Sequence, residues 1–197
     1  MAEPRDLRPA ADAIASIVEG VPAEALTHPT PSTEYLVGDL LEHVDGLSVG
    51  LQAAARKQPV PESELRDGDA DLLRPDWRER IPVQLADLAR AWGPPSAWQG
   101  ETVEGGVPLL ASAAGMFVLD ELVVHGWELA RATGQPFDAP EDDVLALIDF
   151  LSSLPPMPEG EGLFAPRVPV PETAPPMDRL LGLTGRDPSW LGAARER

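Results

Sequence analysis

A chain of 197 residues with 15 basic and 33 acidic side chains carries a formal charge of −18 and contains no cysteine. That balance argues against nucleic acid and anionic membranes as partners, since both need clustered Lys and Arg, and the missing thiols exclude disulfides, Cys-based zinc knuckles and a cysteine nucleophile. No apolar run reaches membrane-spanning length and residues 1–11 lack a signal-peptide segment, so a cytoplasmic protein of one domain over 1–197 is expected.

Ala11, Ile14, Ala15 and Val18 recur at helical spacing and predict a first helix over 8–18, stopped by Gly20 and Pro22. Pro29 and Pro31 keep the next stretch extended. Val37, Leu40, Leu41, Val44, Leu47 and Leu51 form one buried stripe and predict a second helix over 36–56, with His43 on the margin of the stripe. Residues 58–74 are charged and short of large apolar side chains, and read as a loop. A third helix is expected over 75–92, bent at Pro82, with Leu85, Leu88, Ala89 and Trp92 facing inward. Residues 98–107 contain Gly105-Gly106 and read as a small hairpin or an irregular excursion.

The longest apolar pattern predicts a helix over 109–132, bounded by Pro108 and Gly134. It is apolar on most faces, as a central helix of a bundle would be. A further helix is expected over 141–154, with Asp138 as its cap and Pro140 in its first turn. Eight prolines between positions 155 and 176 exclude a helix there. Leu163, Phe164, Val168 and Val170 make that segment an extended strap laid across the bundle. A short helix over 177–184 closes at Gly185, and Trp190 is expected to pin the tail. The sum is an all-α fold, a four-helix bundle with a Pro-rich extended C-terminal strap and a short C-terminal helix.

Three histidines carry the chemistry that is open to this composition. His28 lies in the Pro-rich loop and reads as a solvated turn residue. His125 follows Glu121 by four residues, which puts both on one helix face shared with Leu110, Ala114 and Phe117. A carboxylate among aliphatic side chains must be paired or bound to a cation. Two readings follow from the spacing: a satisfied Glu–His hydrogen bond, or part of a metal site completed by His43 from the second helix. Three such ligands with an open position are the arrangement of catalytic zinc. Glu128 lies on the same face, and reads either as the group that orients a ligand histidine or as an exposed carboxylate near the helix end.

The run Thr30-Pro31-Ser32-Thr33-Glu34-Tyr35 into Leu40-Leu41-Glu42-His43-Val44 resembles the entry to the second helix of the DinB-like metal-binding bundles. Asp120-Glu121-Leu122-Val123-Val124-His125-Gly126-Trp127-Glu128-Leu129-Ala130-Arg131-Ala132-Thr133-Gly134 resembles their second motif, in the actinobacterial branch related to the N-terminal domain of mycothiol-dependent maleylpyruvate isomerase. The closing Asp178-Arg179-Leu180-Leu181 and Gly185-Arg186-Asp187-Pro188-Ser189-Trp190 are similar to the same branch. The resemblance implies a bundle binding a divalent metal, zinc or nickel, through His43, Glu121 and His125. It also names mycothiol as a cofactor, since a chain without cysteine must take any thiol from outside. The implied function is a mycothiol-dependent transferase or isomerase acting with a small-molecule thiol on a small electrophile. Two alternatives stand beside it: a metal-dependent hydrolase using bound water, and a non-catalytic metal-binding or stress-response bundle. Bundles of this kind often pair, so a homodimer is a partner to test for.

The chain departs from the family pattern where Ser32, Tyr35, Leu36 and Gly38 replace the usual Cys, Trp, Thr and Arg, and Glu128 replaces an Asp. Leu36 removes a helix cap worth about 1 kcal/mol unless Ser32 or Thr33 substitutes. Gly38 removes an arginine that would hold an anionic ligand.

Overall fold

A computed structural model describes residues 3–60, 68–154 and 164–192. The chain is mostly helical, with α1 Arg8–Gly20, α2 Val37–Ala55, α3 Trp77–Trp92, α4 Ala111–Thr133, α5 Glu141–Ser153 and α6 Pro176–Leu183. One hairpin, β1 Glu101–Glu104 and β2 Val107–Leu110, joins α3 to α4. Helices α1 and α2 each pack against both α3 and α4, while α5 bridges α4 and α6.

The stripes read from the sequence are the faces that pack. Val37, Leu40, Leu41 and Val44 of α2, Leu85, Leu88 and Trp92 of α3, and Leu119, Leu122 and Leu129 of α4 are all buried. Each large apolar side chain withdrawn from water stabilises the fold by about 1.5–3 kcal/mol. Close approach of α4 to α1 needs Gly126, where an added Cβ would sit 2.6 Å from the Phe137 ring and 3.3 Å from Ile14 Cβ.

Several expectations change in detail. The hairpin reading of residues 98–107 holds and extends to Leu110, so α4 begins at Ala111 rather than at 109. Leu110 is therefore a half-exposed strand residue and shares no helix face with Glu121. Pro108 interrupts the helical ladder and the strand takes the residues on either side of it. Asp138 does not cap α5: Pro140 is its N-cap, and the Pro140 carbonyl accepts from the amides of Asp143 and Val144. Neither helix end bears on the site.

Pro82 lies inside α3. A single 3-10 turn, Ala70–Leu72, occurs in the part of the expected loop that is described. Beyond α5, residues 164–175 form no helix or strand, and the Val168 amide donates to the Gly182 carbonyl of α6 at 2.9 Å. Leu163 and the rest of 155–163 lie outside the described residues. The tail is held by its backbone, since Arg131 of α4 donates to the Trp190 carbonyl at 2.9 Å. Among the described residues no helix is long and apolar enough to cross a membrane.

Candidate metal centre

Helix periodicity and one helix–helix contact build the centre. Glu121 and His125 stand one turn apart on α4, and the packing of α2 on α4 brings His43 opposite them. Glu121 Oε2 lies 2.7 Å from His125 Nε2 and 3.8 Å from His43 Nε2. One ligating atom from each of the three residues falls within 4.8 Å of the others. The two imidazoles meet edge to face, with ring centroids 5.1 Å apart. Glu121 Oε2 is buried and has no hydrogen-bond partner among the described residues, and the same holds for His43 Nδ1.

Two imidazoles and one carboxylate form a donor set suited to zinc or a neighbouring divalent ion. The orphaned Glu121 oxygen, crowded against an imidazole nitrogen without a directed hydrogen bond, is what a shared cation would satisfy. These residues fit the group.

Behind His125 stands Glu128, fully buried. Its Oε2 lies 2.6 Å from His125 Nδ1, and its Oε1 accepts from Arg186 Nε at 2.9 Å. Arg186 also donates to the Thr184 carbonyl at 2.6 Å, which anchors the guanidinium to the end of α6. Such a chain selects the His125 tautomer protonated at Nδ1 and turns Nε2 toward Glu121. The reading of Glu128 as an exposed helix-end carboxylate is thereby overturned: α4 continues five residues past it, and Arg186, three residues beyond α6, pairs with it.

Electrostatics follow from this crowding. Burial alone would push the Glu128 carboxyl up, but His125 and Arg186 hold it below its usual range. Glu121 behaves likewise, with burial outweighed by His125 and His43, so that its carboxyl is strongly lowered. Burial would lower His125, and the two flanking carboxylates raise it to about 10 instead. Asp120, buried and with Oδ1 unpartnered among the described residues, is raised to about 7 by burial and by Glu121, against the pull of Arg186.

The walls come from three further segments. Tyr35 stacks on His43 with ring centroids 5.2 Å apart, and Leu36 beside it is 43% exposed. Asp39 accepts from the Leu36 amide at 2.9 Å, so the first turn of α2 keeps one capping bond although Leu36 itself offers none. The other Asp39 oxygen accepts from the Ala70 amide, and Glu42 accepts from the Asp69 amide, which fastens the 68–72 segment over α2. Gly68 (φ 60°) packs there so closely that an added Cβ would be 3.0 Å from His43 Cβ. Gly38 is a packing position: a Cβ on it would meet Ala70 Cβ at 3.0 Å and the Leu26 carbonyl at 3.2 Å. His28 is exposed and stands apart from the cluster.

Of the residues singled out from sequence, His43, Glu121, His125 and Glu128 come together. Two further residues bear on these carboxylates, Arg186 of the closing motif, to which the sequence assigns no role, and Glu104 of β1, which no sequence motif marks. Burial and the Glu121 charge raise the Glu104 carboxyl to about 8. No local spacing connects either residue to α4.

The chain is similar in sequence to known proteins. The model of the mycothiol maleylpyruvate isomerase N-terminal domain matches residues 7–130, which include His43, Glu121 and His125. Two uncharacterised proteins of Mycobacterium tuberculosis, MT0763 of strain CDC 1551 / Oshkosh and Rv0738 of strain ATCC 25618 / H37Rv, are each 32% identical over 184 residues. In both cases the match covers 90% of this chain and 93% of the relative. No solved structure gives a significant match.

Proposed function

The chain belongs to the mycothiol maleylpyruvate isomerase N-terminal domain family, and on that premise we propose that it is a metal-dependent enzyme. In this reading His43, Glu121 and His125 hold a divalent ion, zinc first and nickel second. The substrate pair is a low-molecular-weight thiol of the mycothiol type and a small electrophile, joined by transfer or isomerisation. Helices α1–α4 are read as a DinB-like four-helix core and the C-terminal segment as its appendage. The single observation that carries the proposal is the convergence of three ligating atoms within 4.8 Å of one another, among them a buried carboxylate oxygen that makes no directed hydrogen bond among the described residues.

When bound, such an ion stabilises the anion of a protic ligand, thiol or water, near neutral pH. The chain's own residues set the conditions for this. Two neutral imidazoles and one carboxylate leave a divalent ion with a net positive charge and too few protein ligands to close a tetrahedron. Glu128 fixes His125 at Nδ1, and Arg186 keeps Glu128 ionised, so Nε2 stays directed into the site. Tyr35 and Leu36 supply an apolar rim against which an organic thiol or electrophile can lie.

Elemental analysis of the purified protein beside His43→Ala and His125→Ala tests the ion. With cobalt in the site, millimolar 2-mercaptoethanol should change the visible spectrum, and silence there ends the thiol reading. Turnover of an ester or amide without any thiol would move the assignment to hydrolysis. A folded, inactive protein indifferent to metal would leave a binding bundle.

A further inference from the structure

A cavity of about 350 Å³ lies between α5, the extended segment 164–175 and α6. Its apolar lining is Ile148 of α5, Val168 and Val170 of the segment, and Leu183 of α6, and Arg167 and Arg179 join them. That volume is within the range of about 300–1,000 Å³ that small-molecule sites occupy.

Local sequence holds these walls in place. Pro166, Pro169 and Pro171 keep the segment out of a helix. The Val168 amide donates to the Gly182 carbonyl at 2.9 Å. The segment can lie on α6 because Gly182 has no side chain: a Cβ there would be 2.6 Å from Val170 Cγ2 and 2.7 Å from the Val168 carbonyl oxygen. At Gly185 (φ 80°) a Cβ would stand 2.6 Å from the Ala165 carbonyl oxygen. The segment is therefore fastened to α6 at two places, and α5 closes the remaining wall.

Its arginines single this cavity out. Every other arginine among the described residues gives a guanidinium hydrogen bond to a carboxylate, a side-chain amide or a backbone carbonyl. The exposed Arg167 and the half-buried Arg179 have no side-chain partner among the described residues, and both line the same cavity. Glu172, exposed, is the one carboxylate of the lining, so the lining is net positive within a chain of −18. A guanidinium fork recognises a carboxylate or sulfonate, and the aliphatic side chains recognise an apolar body. An inorganic anion would leave the aliphatic lining bare, and a neutral hydrocarbon would leave both guanidinium groups unused.

We propose that this cavity is a binding site for a small organic anion, an apolar body carrying one carboxylate or sulfonate, with Arg167 and Arg179 as its anion-binding pair. None of its lining residues belongs to the candidate metal centre, so the inference stands apart from the metal reading.

The probe is 8-anilinonaphthalene-1-sulfonate, whose fluorescence rises when its rings leave water. It is set against N-phenyl-1-naphthylamine, which has the same rings without the sulfonate. The full-length parent should bind the sulfonate saturably at one site, and the neutral compound about tenfold more weakly. Arg179→Met should weaken the sulfonate about tenfold, the loss expected of one charge-assisted hydrogen bond. Arg167→Met should weaken it about threefold, since that side chain is exposed. Both variants should bind the neutral compound as the parent does. They should also keep the parent's melting temperature, because neither guanidinium has a partner within the described chain to lose. Octanoate should displace the sulfonate, and octan-1-ol should not. A parent without saturable binding overturns the proposal, and so does equal affinity for the two compounds. So does undiminished affinity in Arg167→Met/Arg179→Met, which would place the probe elsewhere on the protein.

Discussion

His125 Nδ1 and Glu128 Oε2 lie 2.6 Å apart within α4, and the carboxylate is fully buried beneath them. This contact decides which nitrogen of His125 faces the candidate centre. Replacing Glu128 with Gln keeps the shape but removes the charge that favours Nδ1–H. Zinc affinity should fall roughly 10- to 100-fold, the usual effect of losing a histidine's outer partner. Competition with a chromophoric chelator would read it, and unchanged affinity would separate Glu128 from the site.

Arg186 is the other partner of that carboxylate, reached from the far end of the chain at 2.9 Å. Arg186→Met leaves a buried charge with one partner fewer, and breaking such a pair costs about 3–5 kcal/mol. Urea denaturation of the metal-free protein should show a lower midpoint with an unchanged slope. The double variant Arg186→Met/Glu128→Gln should recover part of the loss, because the stranded charge is gone.

Removal of a proposed ligand should be more severe than removal of Glu128. His43→Ala, Glu121→Ala and His125→Ala should each abolish stoichiometric zinc uptake in equilibrium dialysis. Zinc added to the parent should raise its melting temperature, since an ion that binds only the folded state stabilises it by mass action. The three variants should show no such rise.

The raised imidazole of His125 sets a pH dependence. Its pKa moves from 6.5 to about 10 in the folded protein, so the stability it contributes is complete below pH 6.5 and is lost as the pH rises through 10. The metal-free protein should therefore melt at progressively lower temperature across that window. His125→Gln should flatten this decline. Zinc affinity should change the opposite way, rising over the same range, because the ion displaces the imidazolium proton. Calorimetry at several pH values, with and without zinc, reads both.

Gly68 holds the loop over His43 in a left-handed conformation, with φ of 60°. In Gly68→Ala the new Cβ would stand 2.6 Å from the Asp39 carbonyl and 3.0 Å from His43 Cβ. Backbone strain of that kind costs of order 1–3 kcal/mol, and the loop can relieve it only by lifting off α2. Melting temperature should drop, and zinc affinity should drop with it as His43 loses its support. A variant with lowered stability but full affinity would confine Gly68 to packing.

Local repetition and short spacing made most of this molecule legible. The stripe Val37, Leu40, Leu41, Val44 can bury itself in one way only, as one face of a helix, and the four-residue step from Glu121 to His125 puts both on one side of α4. His43 was a candidate because a second helix bore the one other helical histidine. The exact start of α4 and the cap of α5 were hidden, since prolines and apolar residues satisfy a strand, a cap or a first turn equally well. Chain order could not disclose the partners of the centre. Arg186 reaches Glu128 across 58 positions and Glu104 feels the Glu121 charge from a hairpin, and neither relationship repeats along the chain. Helices are written in local sequence because their hydrogen bonds close within four residues. The burial that shifts Glu104 and the ion pair that steadies Glu128 exist only once distant segments have packed and shut out water.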